Sequence, residues 1–318
     1  MSLFYVSRCH DPWRNLALEE YLFLSAPKEP LLYLWLNAHT VVIGQNQNAV
    51  KECRLALLDA EGGKLARRTT GGGAVYHDLG NLNFTFIMPT GNYDISKQLD
   101  IIVHALSSFG LKAVPSGRND LTCGGGKFSG NAFRNGSEVC MHHGTLLVNA
   151  DVSNMTRYLS PSRSKLASRG VDSVRSRVIN LSELADITTE TLKIAVKDAF
   201  SESYGSMREL SSADFDEGTL EKLYKKHSSY RWRVGDCSLS DIHVESRFAW
   251  GDAEILASVE RGLIADMKLY SDALDCDCIE LISQALVKCP LTCDDIRHRI
   301  EGIEPYGREI AELLIGTI

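Results

Sequence analysis

No apolar run in the 318 residues approaches the roughly 20 that a membrane-spanning helix needs. Leu31 to Leu36 and Asn83 to Met88 are typical of what is present, so a membrane span is not expected. An excess of positive charge is also missing: 34 Lys and Arg stand against 41 Asp and Glu, for a net charge of −7. Such a chain has no global field to hold a nucleic-acid backbone or an acidic membrane surface, and nucleic acid is not an expected partner. The opening Met-Ser-Leu-Phe-Tyr-Val-Ser-Arg lacks the apolar core and small-residue cleavage site of a secretory leader, which points to the cytoplasm. Paired cysteine spacing is absent too. The nine cysteines are odd in number and scattered, and Cys276 and Cys278 find no second pair to complete a metal set, so free thiols are expected. Internal repeats and low-complexity segments are lacking.

What is there is an ordinary globular composition, 44% hydrophobic and 24% charged, enough for a sizeable core. The length exceeds what one core usually organises and suggests a main domain plus a smaller one. Asp11-Pro12 reads as a helix cap with proline in the first turn, and Leu16, Ala17, Glu20, Tyr21 and Leu24 continue at helical spacing. Leu31 to Leu36 and Thr40 to Gly44 read as two strands joined by a tight connection. Further strands are predicted at 64–67, 73–77, 82–88, 126–134 and 138–149, with a helix over 95–109 that ends at Gly110. Helices are expected at 188–204 and 213–228, with Asp214 capping the second. A three-stranded meander at 241–270 and helices at 275–287, 292–300 and 306–315 follow. Many strands with few helices between them favour an α+β fold with a mixed, largely antiparallel sheet, and the texture change places a boundary near residue 240.

Three segments carry chemistry. Gly71-Gly72-Gly73 lies between Arg67-Arg68 and Ala74-Val75-Tyr76. Glycine removes side chains and permits positive φ, so backbone amides can converge on a phosphate while the arginines add charge-assisted bonds. The loop is no P-loop, because Gly-Lys-Ser/Thr does not follow, and it lacks Gly-x-Gly-x-x-Gly; a solvated hairpin turn is the alternative. Next, Gly124-Gly125-Gly126-Lys127-Phe128-Ser129-Gly130 sets a lone lysine beside glycines. An ammonium facing a phosphate cradle could bind a carboxylate together with the α-phosphate it attacks, which makes Lys127 the catalytic candidate; otherwise it is a surface lysine. Third, His142-His143 sit side by side on a predicted strand. Adjacent residues point to opposite faces, so the pair makes no compact metal site; one ring can line a pocket while the other is a core residue.

In order along the chain, Asp11-Pro12-Trp13, Asn15-Leu16-Ala17, Glu19-Glu20, Thr40 to Gly44, Arg67 to Asp78, Leu79-Gly80-Asn81, Ser116 to Leu121, Lys127 to Gly130, His142 to Asp151 and Lys165 to Asn180 resemble the lipoate–protein ligase A family. That family belongs to the biotin/lipoate protein ligase superfamily. The resemblance spans about residues 1 to 200, and Arg247-Phe248-Ala249-Trp250-Gly251 resembles the accessory domain of two-domain ligases. It implies a catalytic domain over 1–240 and a small α+β accessory domain over 241–318. It implies activation of lipoate by ATP to lipoyl-AMP, then transfer to a lysine of an acceptor, either a dehydrogenase E2 lipoyl domain or the glycine-cleavage H protein. By the same resemblance Arg68, Gly71, Gly72, Gly73, Ala74, Val75, Tyr76, Asn81 and Lys127 bind ATP and the adenylate. Glu19, Trp35, Arg68, His77, Lys127, Gly130 and His142 bind lipoate. Mg²⁺ accompanies the ATP, with Asp120 as a candidate ligand or else a turn-closing side chain. A monomer without a tightly bound prosthetic group is expected. The rivals are an ATP-independent octanoyl or lipoyl transferase of the same fold, using Cys140 or Cys123, and a non-catalytic lipoate-binding paralogue.

Overall fold

The side chain of Asp11 accepts a hydrogen bond from Trp13 N at 2.9 Å, and Pro12 opens the first helix behind it. This start is the one its sequence announces. The structure, a computed structural model, describes residues 1–117, 119–160, 178–235 and 240–317. Arg118 and the stretch Lys165 to Arg177 of the ordered motifs lie outside these residues.

In chain order the elements are β1 (Ser2–Val6), α1 (Pro12–Leu24), β2 (Leu31–Trp35), β3 (Thr40–Ile43), α2 (Ala49–Glu52), α3 (Leu55–Ala60), β4 (Lys64–Arg67), β5 (Val75–His77) and β6 (Asn81–Pro89). Then come α4 (Ile95–Ser107), β7 (Val114–Ser116), β8 (Asp120–Cys123), β9 (Gly126–Asn135), β10 (Val139–Leu147), α5 (Val152–Tyr158), α6 (Thr189–Tyr204), β11 (Met207–Glu209), α7 (Glu217–Ser228) and α8 (Tyr230–Arg233). The last part holds β12 (Ile242–Phe248), β13 (Gly251–Glu260), β14 (Leu263–Ser271), α9 (Cys276–Leu286), α10 (Cys293–Ile300) and α11 (Gly307–Ile315).

An eight-stranded sheet runs β11-β1-β2-β6-β10-β9-β8-β7. It is mixed: β1 lies parallel to β2 and β11, and the other neighbours are antiparallel. A second small sheet, β4-β3-β5, faces it. The strands at 31–36 and 40–44 are both present, yet they do not pair. β2 is buried along its whole length between β1 and β6, so no edge is left for β3, and the chain crosses at 37–39 into the small sheet. A second difference lies at α7, which Asp216 caps through Gly218 N at 3.0 Å. Asp214 instead accepts from Ser211 N at 2.8 Å and holds the preceding turn.

In β6, Leu82, Phe84, Phe86 and Met88 point to one face, where they pack with residues of α4 and α6 such as Ile102 and Phe200. Its odd-numbered residues, Asn83 and Thr85 among them, face the opposite way, towards α1 and the small sheet; Tyr33, Trp35, Leu16 and Met141 pack on that side. The site forms on this second face. The C-terminal sheet β12-β13-β14 and its three helices build a separate core from their own residues, such as Ile255, Ile282 and Ile310. Polar contacts join the two units: Lys51 Nζ reaches Glu245 at 2.6 Å and Glu254 at 2.8 Å, Ser271 N donates to Asn46 O at 2.8 Å, and Gly72 N donates to Ala273 O at 3.0 Å.

Candidate active site

The sequence Arg67-Arg68 ends β4, and strand geometry sends the two guanidinium groups to opposite sides. Arg67 turns away from the glycine loop. It donates to the carbonyls of Gly44, Gln45, Gln47, Trp232 and Arg233 at 3.2, 2.7, 2.7, 2.7 and 3.0 Å. This is a correction to the reading that puts both arginines on one anion: Arg67 is a structural hub. Arg68 faces inward and is buried; Nη2 donates to Gly71 O at 2.6 Å and Gly73 O at 2.9 Å, and Nε donates to Thr70 Oγ1 at 3.1 Å. Burial lowers both arginines to about 10, which leaves them charged at neutral pH.

The loop is held from outside as well. Gly72 has a φ of 91°, a conformation that favours glycine. A Cβ on Gly71 would lie 2.2 Å from Ala273 O, so only glycine admits this approach of the C-terminal domain. The loop therefore offers carbonyls to Arg68 and gives the Gly72 amide to Ala273, rather than turning all its amides towards one anion.

Between this loop, β9 and β10 lies a cavity of about 180 Å³. Trp35, Leu16 and Val42 make an apolar wall, while Arg68, Lys127 and His77 bring polar groups to it. Lys127 stands on β9, half-exposed, with Nζ 2.7 Å from Asp120 Oδ1 on β8. Gly130 lies beneath it: a Cβ there would stand 3.2 Å from that Nζ. His77 is buried, and its Nδ1 is 3.3 Å from Asn37 Nδ2. Asn15 Nδ2 donates to Asn37 Oδ1 at 3.0 Å, so the Asn37 amide points its N–H at His77 and the ring proton belongs on Nε2. Among the described residues that Nε2 has no hydrogen-bond partner. Burial, with Arg68 and His143 nearby, pushes His77 down to about 3, so the ring is neutral.

Of the residues singled out from the sequence, Trp35, Arg68, Gly72, Gly73, Ala74, Val75, His77, Lys127 and Gly130 line this cavity. Five others stand behind or beside it. Gly71 packs outward on Ala273. Tyr76 alternates to the far face of β5, with its ring 5.7 Å from that of Tyr158. Asn81 is buried one step back, donating to Asn83 Oδ1 at 3.1 Å. Asp120 is taken by Lys127, and among the described residues the three side chains spaced to hold a metal are the distant His243, Glu245 and Glu254. Glu19 lies under the cavity and reaches it through His143, whose Nδ1 is 2.8 Å from Glu19 Oε1.

His142 requires correction. It pairs with Phe86 across β6, on the helix-covered face, and is wholly buried with Nε2 at 2.9 Å from Asn131 Oδ1 and Nδ1 at 2.9 Å from the Gln98 amide. Burial lowers it to about 3. Nδ1 faces Gln98 Oε1; a neutral ring that donates at Nε2 accepts at Nδ1, which requires the Gln98 amide to turn its nitrogen to the ring. His143, paired with Thr85, is the ring that lines the cavity. Asn83, Asn119, Asn131 and Thr145 also line the cavity, and sequence reasoning gives them no role. The alternation of β6, polar at odd positions, marks the face of Asn83, but only the register assigns His143 to it.

Residues 11–201 match the family described as lipoyl protein ligase A/B catalytic domain, and 240–315 match the bacterial lipoate protein ligase C-terminus. The chain belongs to the lipoate–protein ligase A family. It is 39% identical to a lipoate-protein ligase A of Psychrobacter cryohalolentis, over 95% of this chain and 92% of that one. It is 38% identical to one of Blochmanniella pennsylvanica, over 98% of each. Among solved structures it resembles LipL1 of P. falciparum in complex with lipoate, with a TM-score of 0.88 and 31% identity over 99% of this chain and all of that one. A lipoate-protein ligase A bound with ATP matches with a TM-score of 0.65 and 27% identity, over 74% of this chain and 98% of that one. Larger clefts of this ligase, about 640 and 370 Å³, lie at the junction with the C-terminal domain; the first is lined mostly by charged and polar residues, the second by Arg67 with a mix of polar and apolar residues such as Trp232, Leu269 and Ile279.

Proposed function

We propose that this ligase activates lipoate with ATP to lipoyl-AMP and then transfers the lipoyl group to a lysine of an acceptor lipoyl domain or H protein. One observation carries the reading: an apolar wall at Trp35, Leu16 and Val42 leads to a point where the Arg68 guanidinium, the Lys127 ammonium and the unpartnered His77 Nε2 meet one small cavity. An apolar chain that ends in an anion fits that gradient. ATP, lipoate and an E2 lipoyl domain appear in the descriptions of structural relatives, which supports assigning the same ligands here.

In the first half-reaction a lipoate carboxylate oxygen attacks the α-phosphorus and the bond to pyrophosphate breaks. Lys127 holds the two negative groups together and offsets charge as the mixed anhydride forms. Arg68 holds the loop that carries the nucleotide. In the second half-reaction a neutral lysine ε-amine of the acceptor attacks the acyl carbon, AMP leaves with the bonding pair, and the amine gives up a proton. Mg²⁺ would accompany the ATP and supply charge neutralisation at its phosphates; Asp120 is better used to orient Lys127.

The division of labour assigns 1–240 to both ligand sites and 241–318 to the accessory role, because the second core draws only on residues of the latter. With that domain present, we infer that the chain carries out both half-reactions unaided, as a monomer in the cytoplasm. No described helix is long and apolar enough to cross a membrane. A cysteine-based transferase is disfavoured because Cys140 and Cys123 are 4% and 5% exposed and stand off the cavity lining.

Lipoate-dependent exchange of pyrophosphate into ATP by the purified chain tests the reading. Exchange retained in Cys140→Ala is expected; activity that ignores ATP and dies with Cys140 would transfer the case to the transferase.

A further inference from the structure

A single hydrogen-bonded chain runs beneath the cavity from the acyl wall to the glycine loop. Trp35 Nε1 donates to Thr85 Oγ1 at 3.1 Å, and Thr85 Oγ1 donates to Glu19 Oε1 at 2.6 Å. His143 Nδ1 lies 2.8 Å from the same carboxylate oxygen, His143 Nε2 lies 2.8 Å from Thr70 Oγ1, and Arg68 Nε reaches Thr70 Oγ1 at 3.1 Å. Every member is buried.

The two ends leave the middle no choice. Arg68 has only donors, so Thr70 Oγ1 accepts from it and must send its own hydrogen elsewhere. Glu19 is ionised: burial alone would raise it, but His143 and Thr85 outweigh that and hold it below the usual carboxylate range. A carboxylate only accepts, so His143 donates from Nδ1, and in the neutral ring Nε2 then accepts the Thr70 hydroxyl hydrogen. The direction thus runs Arg68 to Thr70 to His143 to Glu19, with Trp35 and Thr85 feeding the same carboxylate from the other side. If Glu19 were neutral, the ring proton could move to Nε2; Thr70 Oγ1 would then face two donors, His143 and Arg68, with no acceptor for its own hydrogen, which weakens its hold on the Nε side of Arg68. Apart from a long contact of Nη1 with Val42 O at 3.5 Å, the remaining bonds of Arg68 go to Gly71 O and Gly73 O, so its plane and the loop are set together.

We propose that Glu19 is a positioning residue for Arg68: acting through His143 and Thr70, the carboxylate beneath the acyl wall fixes the guanidinium and the glycine loop that receive the nucleotide. The inference rests on the ligase reading above and adds a coupling between its two substrate sites. Glu19 touches neither the glycine loop nor Arg68, so a residue that served only the acyl side would leave nucleotide binding alone.

The test uses Glu19→Gln, Thr70→Val, the conservative Thr70→Ser and the Glu19→Gln/Thr70→Val double variant in the full chain. Thr70→Ala replaces Thr70→Val if the latter fails to fold by circular dichroism. ATP affinity is measured by calorimetry, and the KM values for ATP and lipoate by pyrophosphate exchange. Losing one charge-assisted link should weaken ATP binding and raise its KM roughly 10-fold in Glu19→Gln and in Thr70→Val. The double variant should be no worse than the poorer single, and Thr70→Ser should stay within about twofold of wild type, because members of one chain are not additive. An ATP affinity in Glu19→Gln equal to wild type, or losses that multiply in the double variant, overturns the coupling. Absence of exchange in the wild type would instead overturn the ligase reading, while the calorimetric comparison would still decide the coupling.

Discussion

Lys127 Nζ and Asp120 Oδ1 stand 2.7 Å apart across β8 and β9, directly beside the cavity that holds the glycine loop. The carboxylate restrains a long, half-exposed side chain that would otherwise sample many rotamers. Lys127→Ala should lower lipoate-dependent exchange by about 10²- to 10³-fold, the usual loss for one electrostatic stabiliser of a transition state. Asp120→Asn should cost much less and leave the Mg²⁺ dependence of exchange unchanged. A marked shift in the Mg²⁺ requirement would make Asp120 a metal ligand after all.

The adjacent arginines should fail in different ways. Arg67→Ala removes the donor that five buried or partly buried carbonyls share, at about 1–3 kcal/mol for each buried one left without a partner, and should appear as a fall of the melting temperature. Arg68→Ala should appear first as a raised KM for ATP. Denaturant melts beside exchange kinetics separate the two; equal loss of ATP affinity at comparable stability would restore Arg67 to the nucleotide site.

Two neutral, buried rings give the fold an acid limit. His77 and His142 sit at about 3, against 6.5 for a free ring. Between those values the unfolded chain binds protons that the folded chain refuses, so stability rises with pH across this window and is lost as pH falls. The slope is at most about 1.4 kcal/mol per pH unit for each ring. Melts from pH 7 to 4 should show it, and His142→Gln should flatten it; an unchanged slope in that variant removes His142 from the account.

Gly71→Ala probes the domain contact. Its methyl would stand 2.2 Å from Ala273 O, against backbone that cannot swing away as a side chain could. A loss of about 1–3 kcal/mol, the range for overpacking, is expected with weakened ATP binding. Wild-type melting and exchange would mean that the loop does not need this contact.

Local signals made most elements legible. Asp11-Pro12 announces α1, the alternation of Asn83, Phe84, Thr85 and Phe86 marks a strand with two unlike faces, and the turn at Arg261-Gly262 closes β13 onto β14. What stayed hidden depends on partners distant in sequence. The parity of His142 and His143 is set by pairing with Phe86 and Thr85, and the separation of β2 from β3 is set by β1 and β6 occupying both edges of β2. The opposed duties of Arg67 and Arg68 belong to the same class, since the carbonyls of Trp232 and Arg233 come from the far end of the domain. Short strands such as β7 and β11, three residues each, carry too little pattern to be read.

No apolar cluster among the described residues bridges the two cores; Lys51 with Glu245 and Glu254, Asn46 with Ser271, and Gly72 with Ala273 join them instead. Breaking these particular links carries little of the heat-capacity increment that accompanies exposure of hydrocarbon, because they are hydrogen bonds and ion pairs. Dissolved ions weaken the exposed Lys51–Glu245 pair, whereas the hydrocarbon interiors on either side keep their cohesion. Ionic strength is therefore a variable to which this pair answers.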